Sequence, residues 1–499
     1  MKVTAMHPTR FRNTVAGSQV ESASAAWFET ENPFTGAVWA EIPRCTAMDV
    51  DAAVNAAHEA FENGAWASMT PTARGKLLYR LADLVERDAE KLAALEVRDN
   101  GKLYAEMLGQ LRYAPEYYRY FGGLADKIEG AVLPCDKPDL FSYTRYEPLG
   151  VIACITPWNS PILLLTWKLA ALLAAGNTAV IKPSEFTSAS TLAFLDLFKE
   201  AGFPDGVVNS VTGFGNEIGQ ALVEHPHVAK VAFTGGEATG MAVYQSAAKG
   251  LKHVSLELGG KSPNIIFEDA KIDDAVKGAI SGIFAASGQT CIAGSRLLVQ
   301  RSIYKRVCDE ITSFAASAQM GDPMAGETQV GPITPRPQRQ KVLDYIGIAK
   351  DEGARLLLGG GTPGSPALAD GWFVEPTIFG DVTNEMRIAR EEVFGPVLSI
   401  LPFEDDDDAV RIANDTVYGL AAGVWTRSMP RAIKMSERLR AGTVWINTYR
   451  AVSFMAPFGG YKRSGIGREN GQDAIHAFLQ TKCVWMNLSD SVPNPFVMR

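Results

Sequence analysis

The sequence predicts an α/β protein built as two doubly wound α/β lobes. Two patterns along the chain point there. From about residue 150, short apolar runs of strand character alternate with helical patterns; that alternation belongs to parallel strands joined by crossover helices. After a glycine-rich stretch, SLELGGKS at 255–262, a second alternating series begins. The chain therefore builds the same kind of sheet twice, and 499 residues are ample for two large lobes.

Ahead of the first series, residues 70–101 form a helical region. Thr70 can cap it and Pro71 suits its first turn. Leu77, Leu78, Leu81, Leu84 and Val85 recur at helical spacing, and Asn100-Gly101 stops it. The strand candidates of the first series are VIACI (151–155), TAVIK (178–182), VVNSV (207–211), VAKVAF (228–233) and NIIF (264–267), with a helix at 187–202. The run ILLLTWKLAALLAAG (162–176) is short for a membrane span and contains Lys168, so it reads as a buried helix. The second series comprises RLLVQ (296–300), ARLLLGG (354–360), VLSILPF (397–403), AAGVWT (421–426) and AGTVWIN (441–447). The acidic run EDDDDA (404–409) lacks the Gly and terminal Glu of a calcium loop and reads as a solvated helix start.

Composition narrows the function classes. The chain is 46% hydrophobic and 21% charged, ordinary for a globular protein. A net charge of −8 and the lack of a basic block with interleaved aromatics argue against a nucleic-acid binder. The start, MKVTAMHPTRFRNT, has no apolar segment behind it, so a secretory signal is not expected. Cys45, Cys135, Cys154, Cys291, Cys308 and Cys483 form no CxxC pair. That pattern suits a reducing, cytoplasmic setting without disulfides or a zinc site, and no metal is expected.

Several segments could carry chemistry. GGKS resembles the end of a phosphate-binding loop, but the first Gly of that motif should stand at position 255, which is Ser255. What remains of the stretch is a lone carboxylate, Glu257. In ASGQTCIAGSR (286–296), Cys291 is hemmed by small residues that would let a substrate approach its thiol. On that segment alone a buried structural cysteine is the better reading. A cysteine hydrolase would need a His partner, and His7, His58, His225, His227, His253 and His476 all lack a catalytic context. In ITPWNSP (155–161), Asn159 follows a strand; its amide could serve an oxyanion, or it could simply turn the chain ahead of Pro161. Lys182 and Glu185 lie just past a strand end, where doubly wound sheets bind ligands, although a solvated ion pair explains them as well. TGFGNEIG (212–219) and FTGGEATG (233–240) each open a helix but miss the strict dinucleotide spacing.

Together, ITPWNSP, IKPSE, FTGG, LELGGKSP, GQTC, EEVFGPV (391–397) and PFGGYKRSGIGRENG (457–471) resemble, in this order, the aldehyde dehydrogenase superfamily, specifically its hydrolytic, NAD(P)-dependent members. The similarity runs from about residue 25 to 490. It implies a Rossmann-like NAD-binding domain (1–128 and 148–256), a catalytic domain (257–458) and a small β oligomerisation element (129–147 and 477–499). It implies Cys291 as the catalytic thiol, Glu257 as general base and Asn159 as oxyanion donor. Trp158 and Lys168 fall at positions common to the family.

The implied cofactor site contains Ile155, Thr156, Pro157, Trp158, Lys182, Ser184, Glu185, Gly215, Gly219, Phe233, Thr234, Gly235, Gly236, Thr239, Leu258, Gly259, Glu392 and Phe394. Glu185 should repel a 2′-phosphate, which favours NAD, while Ser184 leaves NADP open. The substrate side is implied to include Trp167, Arg450 and Phe458. Ser160, Ala285 and Val452 stand where family members often place Phe, so the tunnel is expected to be wide and polar. Arg450 is expected either to pair a substrate carboxylate or to sit exposed at the mouth. A homo-oligomer, dimer or tetramer, is implied by the strand-like segments 133–148 and 480–488. Two other classes stay open: a thiol-dependent hydrolase without redox chemistry, and a binding protein that kept the fold and lost catalysis.

Overall fold

Six strands form the first sheet of the computed structural model. In spatial order they are Val208–Ser210, Thr178–Lys182, Val151–Ile155, Val228–Thr234, His253–Glu257 and Gly465–Ile466. The first five are parallel, and the last closes the edge antiparallel. The strands of the crossover units are buried almost throughout, which is why they read as unbroken β-branched and apolar runs. The order reverses between Val151–Ile155 and Val228–Thr234. In such sheets that switch point opens a crevice beyond the carboxyl ends of the strands.

Seven strands form the second sheet, in the order Arg355–Leu358, Thr377–Gly380, Val397–Phe403, Arg296–Gln300, Pro263–Ile266, Ala421–Trp425 and Thr443–Ile446. All are parallel except the edge strand Arg355–Leu358. Residues 258–262 connect the last crossover strand of one sheet to Pro263–Ile266, so NIIF, expected in the first series, is instead a central strand of the second sheet, beyond the crossing between lobes. The stretch quoted above, SLELGGKSP, is thus the seam between lobes.

The described residues are 8–492 and 494–497. The opening MKVTAMH, with His7, lies outside them, as do Pro493, Met498 and Arg499 of the expected oligomerisation element. The helical region 70–101 divides at Asp88 into Pro71–Arg87 and Ala89–Asn100. Thr70 Oγ1 accepts from the Ala73 N–H, and Gly101 ends the second helix at φ +69°. Helix Pro161–Ala175 is buried at every residue but Leu164 and stops at Gly176 in the left-handed region. EDDDDA does start a helix, Asp406–Asn414, with Asp405 as the cap.

Two features go beyond the sequence reading. An N-terminal sheet pairs Val38–Pro43 with Thr9–Arg10 and Trp27–Glu31. A long helix, Tyr104–Leu124, carries Pro115 in its interior and packs on the helices Pro71–Arg87 and Pro161–Ala175. The strand-like segments at 133–148 and 480–488 pair with each other: Leu140–Pro148 runs antiparallel to Leu479–Asn487 from Leu140↔Asn487 to Pro148↔Leu479. Trp485, Met486 and Leu488 are exposed beside them. Among the described residues, no helix is long and apolar enough to cross a membrane.

One buried cation ties the second lobe together. Arg296 is fully buried at the start of its strand. Its guanidinium donates to the Lys261 carbonyl (3.0 Å), Asn384 Oδ1 (3.2 Å), and the carbonyls of Ile412 (2.9 Å) and Ala413 (2.8 Å) at the end of helix Asp406–Asn414. The orphan carbonyls of a helix end are thereby satisfied by a positive charge, where the helix dipole favours one. Arg296→Met leaves these acceptors unpaired and should cost about 3–5 kcal/mol, roughly 10 °C in Tm by thermal denaturation. An unchanged Tm would contradict this account.

Candidate active site

Three cavities run in series from the switch point of the first sheet into the second lobe. The outer one, 590 Å³, lies along the carboxyl edge of the first sheet. It collects Ile155, Thr156, Pro157, Trp158, Lys182, Ser184, Glu185, Gly215, Gly219, Phe233, Thr234, Gly235, Gly236 and Thr239. The motifs that looked weak one at a time are therefore one surface. Glycine serves it in a specific way: a Cβ built at Gly215, Gly219 or Gly236 meets no atom within 4 Å. Gly236 caps the helix Glu237–Ala248 and Gly215 opens Gly215–Glu224. These are open cradles at helix N-termini, suited to a phosphate. Beside them, Lys182 Nζ stands 3.5 Å from the Glu185 carboxylate. Burial lowers the Lys182 ammonium below its usual range, and Glu185 opposes that shift.

The middle cavity, 150 Å³, shares Pro157, Trp158, Thr234, Gly235 and Gly236 with the outer one and adds Asn159, Glu257, Leu258, Gly259, Cys291, Glu392 and Phe394. Trp158 and Phe394 meet edge-on with ring centroids 5.3 Å apart. Glu392 Oε1 accepts from the Gly260 N–H (2.9 Å), and a Cβ at Gly259 would lie 2.4 Å from Glu392 Oε2. The double glycine of LELGGKSP lets the Glu392 carboxylate lie against the backbone. Lys261, beside it, is fully buried and lines none of the three cavities.

The inner cavity, 580 Å³, shares Asn159, Leu164 and Cys291 with the middle one. Trp167 and Phe458 wall it, edge-on at 5.1 Å, together with Tyr113. Its polar lining includes Glu106, Gln110, Ser160, Ser281, Thr290 and Arg450. Ser160 and Val452 line it as expected for a widened tunnel, whereas Ala285 does not. Arg450 Nη1 lies 3.9 Å from Glu106 Oε1 and donates to the Ser281 carbonyl at 3.4 Å. Glu106 is its carboxylate partner among the described residues.

Cys291 and Asn159 therefore stand at the node between the two inner cavities, with Glu257 facing the same space. Asn159 donates one amide N–H to the Gln289 carbonyl at 3.0 Å. That bond orients the group and leaves its second N–H to give. Cys291 is half-buried. Its enclosed surroundings, and then the Glu392 and Glu257 carboxylates, push the thiol up to about 12, against the pull of Lys102. The resting group is a thiol and needs a base.

Glu257 is 4% exposed, and neither carboxylate oxygen has a hydrogen-bond partner among the described residues. Burial, and then the Glu469 carboxylate, raise it well above the ordinary range; Lys168 and Arg468 oppose the shift. Lys168 is fully buried, pairs with Glu469 and donates to Thr234 Oγ1 at 2.7 Å. A carboxyl so raised holds a proton more tightly than an ordinary one and is a stronger base when ionised.

Some lining residues were missed by sequence reasoning. Gln338 and Lys341 reach the middle cavity from helix Arg336–Asp351. In the sequence they look like the polar face of an ordinary surface helix. Asn216, Gln220 and Ser246 join the outer cavity. Glu106, Gln110 and Tyr113 sit at i, i+4 and i+7 of the helix Tyr104–Leu124. Their shared face was readable from spacing, but Pro115 obscured the helix.

Comparison with known proteins places nearly the whole chain in one family. The model of the aldehyde dehydrogenase family matches residues 19–484. The chain is 46% identical over 477 residues to the (Z)-2-((N-methylformamido)methylene)-5-hydroxybutyrolactone dehydrogenase of Acinetobacter baylyi, covering 95% of this chain and 97% of that protein. It is 46% identical over 479 residues to an aldehyde dehydrogenase of Aspergillus niger, with 96% and 95% covered. The NAD+ complex of aldehyde dehydrogenase from Bacillus cereus superposes with a TM-score of 0.94 at 46% identity, covering 96% of this chain and 97% of that one. The chain belongs to the aldehyde dehydrogenase family.

Proposed function

We propose that this protein oxidises an aldehyde to its carboxylic acid with NAD, using Cys291 as nucleophile, Asn159 as oxyanion donor and Glu257 as general base. The observation that carries the reading is the position of Cys291. It stands where a cavity on the dinucleotide-type sheet edge meets a separate cavity from the other lobe, with a buried, unpartnered carboxylate lining the junction.

Glu257 first draws the proton from the Cys291 thiol. The thiolate attacks the aldehyde carbon from the inner cavity and forms a thiohemiacetal. Its oxyanion accepts hydrogen bonds from the free Asn159 amide N–H and the Cys291 backbone N–H; one such donor is typically worth ~3 kcal/mol. Bound nicotinamide supplies the hydride acceptor. The cradles at Gly215 and Gly236 would hold the pyrophosphate, Lys182 and Glu185 the adenine ribose, and Glu392 with Phe394 the nicotinamide end. Once Glu257 has released the thiol proton to solvent, it deprotonates a water that hydrolyses the resulting thioester on Cys291. Among the described residues, no histidine lines any of the three cavities, which leaves a cysteine hydrolase without its usual partner.

NAD is favoured over NADP because the Glu185 carboxylate would face a 2′-phosphate, and the NAD+ complex of the Bacillus cereus relative supports that choice. We assign 1–128 and 148–256 to cofactor binding, 257–458 to catalysis, and 129–147 with 477–499 to oligomerisation. The last rests on the open strand Leu479–Asn487 with its exposed Trp485 and Met486. A cytoplasmic setting fits six cysteines that are all free thiols.

On the substrate side, the Glu106–Arg450 pair favours a neutral polar aldehyde over a carboxylate-bearing one. The Acinetobacter relative, named for a hydroxybutyrolactone, is consistent with this.

An aldehyde panel followed by NADH absorbance and acid release tests the reaction itself; thiol-dependent ester hydrolysis without NADH formation would contradict it. Glu257→Gln should slow the single-turnover burst of NADH, because the thiol loses its base, and lose about 100- to 10,000-fold in steady-state turnover; acyl adduct that does form on Cys291 should persist by mass spectrometry. Unchanged turnover would remove Glu257 from its role. Arg450→Ala should lower kcat/KM equally for a carboxylate-bearing semialdehyde and a neutral aldehyde. A loss selective for the semialdehyde, about tenfold or more, would restore Arg450 as a carboxylate partner.

A further inference from the structure

Lys102 is a buried ammonium that the mechanism above does not use. It lies in the short turn between the helices Ala89–Asn100 and Tyr104–Leu124 and is 3% exposed. Both ends of the residue are pinned. Its backbone N–H donates to Asn100 Oδ1 at 2.9 Å, beside Gly101, where a Cβ would lie 2.7 Å from the Pro332 ring. Its Nζ donates to Ser160 Oγ at 3.1 Å, and Ser160 Oγ in turn donates to the Asn159 carbonyl at 2.8 Å. A two-step hydrogen-bonded path therefore joins a buried positive charge to the peptide that carries the oxyanion amide. The same helix pair holds the far side of that turn: Glu96 Oε1 accepts from the Ile162 N–H at 2.9 Å.

The charged groups facing Lys102 are Glu106, Arg450, Glu96 and Cys291. Two are carboxylic acids, one is cationic, and the fourth is the reacting thiol. Burial lowers the ammonium to about 8, and Glu106 opposes that shift most. The group is cationic at neutral pH despite its enclosure. Ser160 lines the same inner cavity as Cys291, so the charge sits just behind the wall against which an aldehyde would lie. A point charge in such a low-dielectric setting acts over a longer distance than it would in water.

We propose that Lys102 is a positioning residue for the first chemical step: through Ser160 it fixes the Asn159 peptide, and its charge favours the Cys291 thiolate and the oxyanion that follows. The proposal rests on the reading of Cys291 as nucleophile. It adds a component from the turn at 101–103, outside every motif that carries the family resemblance.

The test compares Lys102→Met, Lys102→Arg and Ser160→Ala in the full-length protein. One readout is steady-state kinetics with NAD and a neutral aldehyde. The other is iodoacetamide labelling of Cys291 against pH, resolved by peptide mass spectrometry because Cys135 and Cys483 are also accessible. Lys102→Met should lower kcat about tenfold, leave KM for NAD within about twofold, and move the Cys291 labelling profile to higher pH. Lys102→Arg should recover part of both losses. Ser160→Ala keeps the charge and cuts the link, so kcat should fall while the labelling profile stays in place; it also serves if Lys102→Met does not fold. Lys102→Met that is folded, with kcat and labelling both matching wild type, would overturn the proposal, as would a Ser160→Ala kcat equal to wild type. Wild-type-like NADH formation by Cys291→Ser would instead overturn the proposed function itself.

Discussion

A carboxylate without a hydrogen-bond partner is held at the seam between two sheets, and the rest of the site depends on it. Leaving a buried charged group unpaired costs several kcal/mol. The fold meets part of that cost by raising Glu257 toward its neutral form and by placing the Lys168–Glu469 pair nearby. What results is a carboxylate whose affinity for a proton is raised by its enclosure. The same enclosure pushes the Cys291 thiol up. The proposed nucleophile and base are thus poised against each other by one physical cause, the low dielectric of the junction, rather than by a dedicated ion pair.

Topology explains why the junction exists. Strand His253–Glu257 ends the parallel run of the first sheet, and only residues 258–262 separate it from strand Pro263–Ile266 in the second. Glu257 is consequently the last residue of one lobe's strand, at the carboxyl edge where ligands bind. The second lobe brings Cys291 to it from the loop ahead of strand Arg296–Gln300 and Glu392 from the loop ahead of Val397–Phe403. Small residues at 259 and 260 are a condition of that approach, because a side chain at 259 would collide with the Glu392 carboxylate and one at 260 with the Cys291 carbonyl, 2.6 Å away. Strand Gly465–Ile466 then crosses back to the first sheet and pairs with Leu256 and Glu257, so the backbone of Glu257 is fixed on that side as well.

Much of this was legible in the sequence, and the pattern of what was not is informative. Strands buried on both faces are continuous apolar runs, so VIACI, TAVIK, RLLVQ and VLSILPF matched the structure residue for residue. Glu257 stood out because a carboxylate is conspicuous among small apolar neighbours. Residues that gain their meaning from tertiary placement were not visible. Lys102 looks like any lysine after an Asn-Gly turn, and nothing local reveals that it is enclosed behind Ser160. Lys341 looks like a solvated charge on an amphipathic helix, yet it lines the middle cavity. Arg450 was readable as a cation near the tunnel, but Glu106, which matches its charge, lies 344 positions away in sequence on a helix that Pro115 conceals.

The central claim is that hydrolysis of the Cys291 acyl intermediate is driven by a carboxylate whose proton affinity is raised by burial. The direct measurement is the decay of the acyl-enzyme in single-turnover experiments with the wild-type protein, quenched and weighed by intact mass spectrometry across about pH 5 to 9. A base must be deprotonated to act, so a raised affinity delays activity to higher pH. The decay rate should climb through a midpoint well above the ordinary carboxyl value of 4.5. A rate that is flat over this range, or one already at its maximum near the ordinary value, would contradict the account.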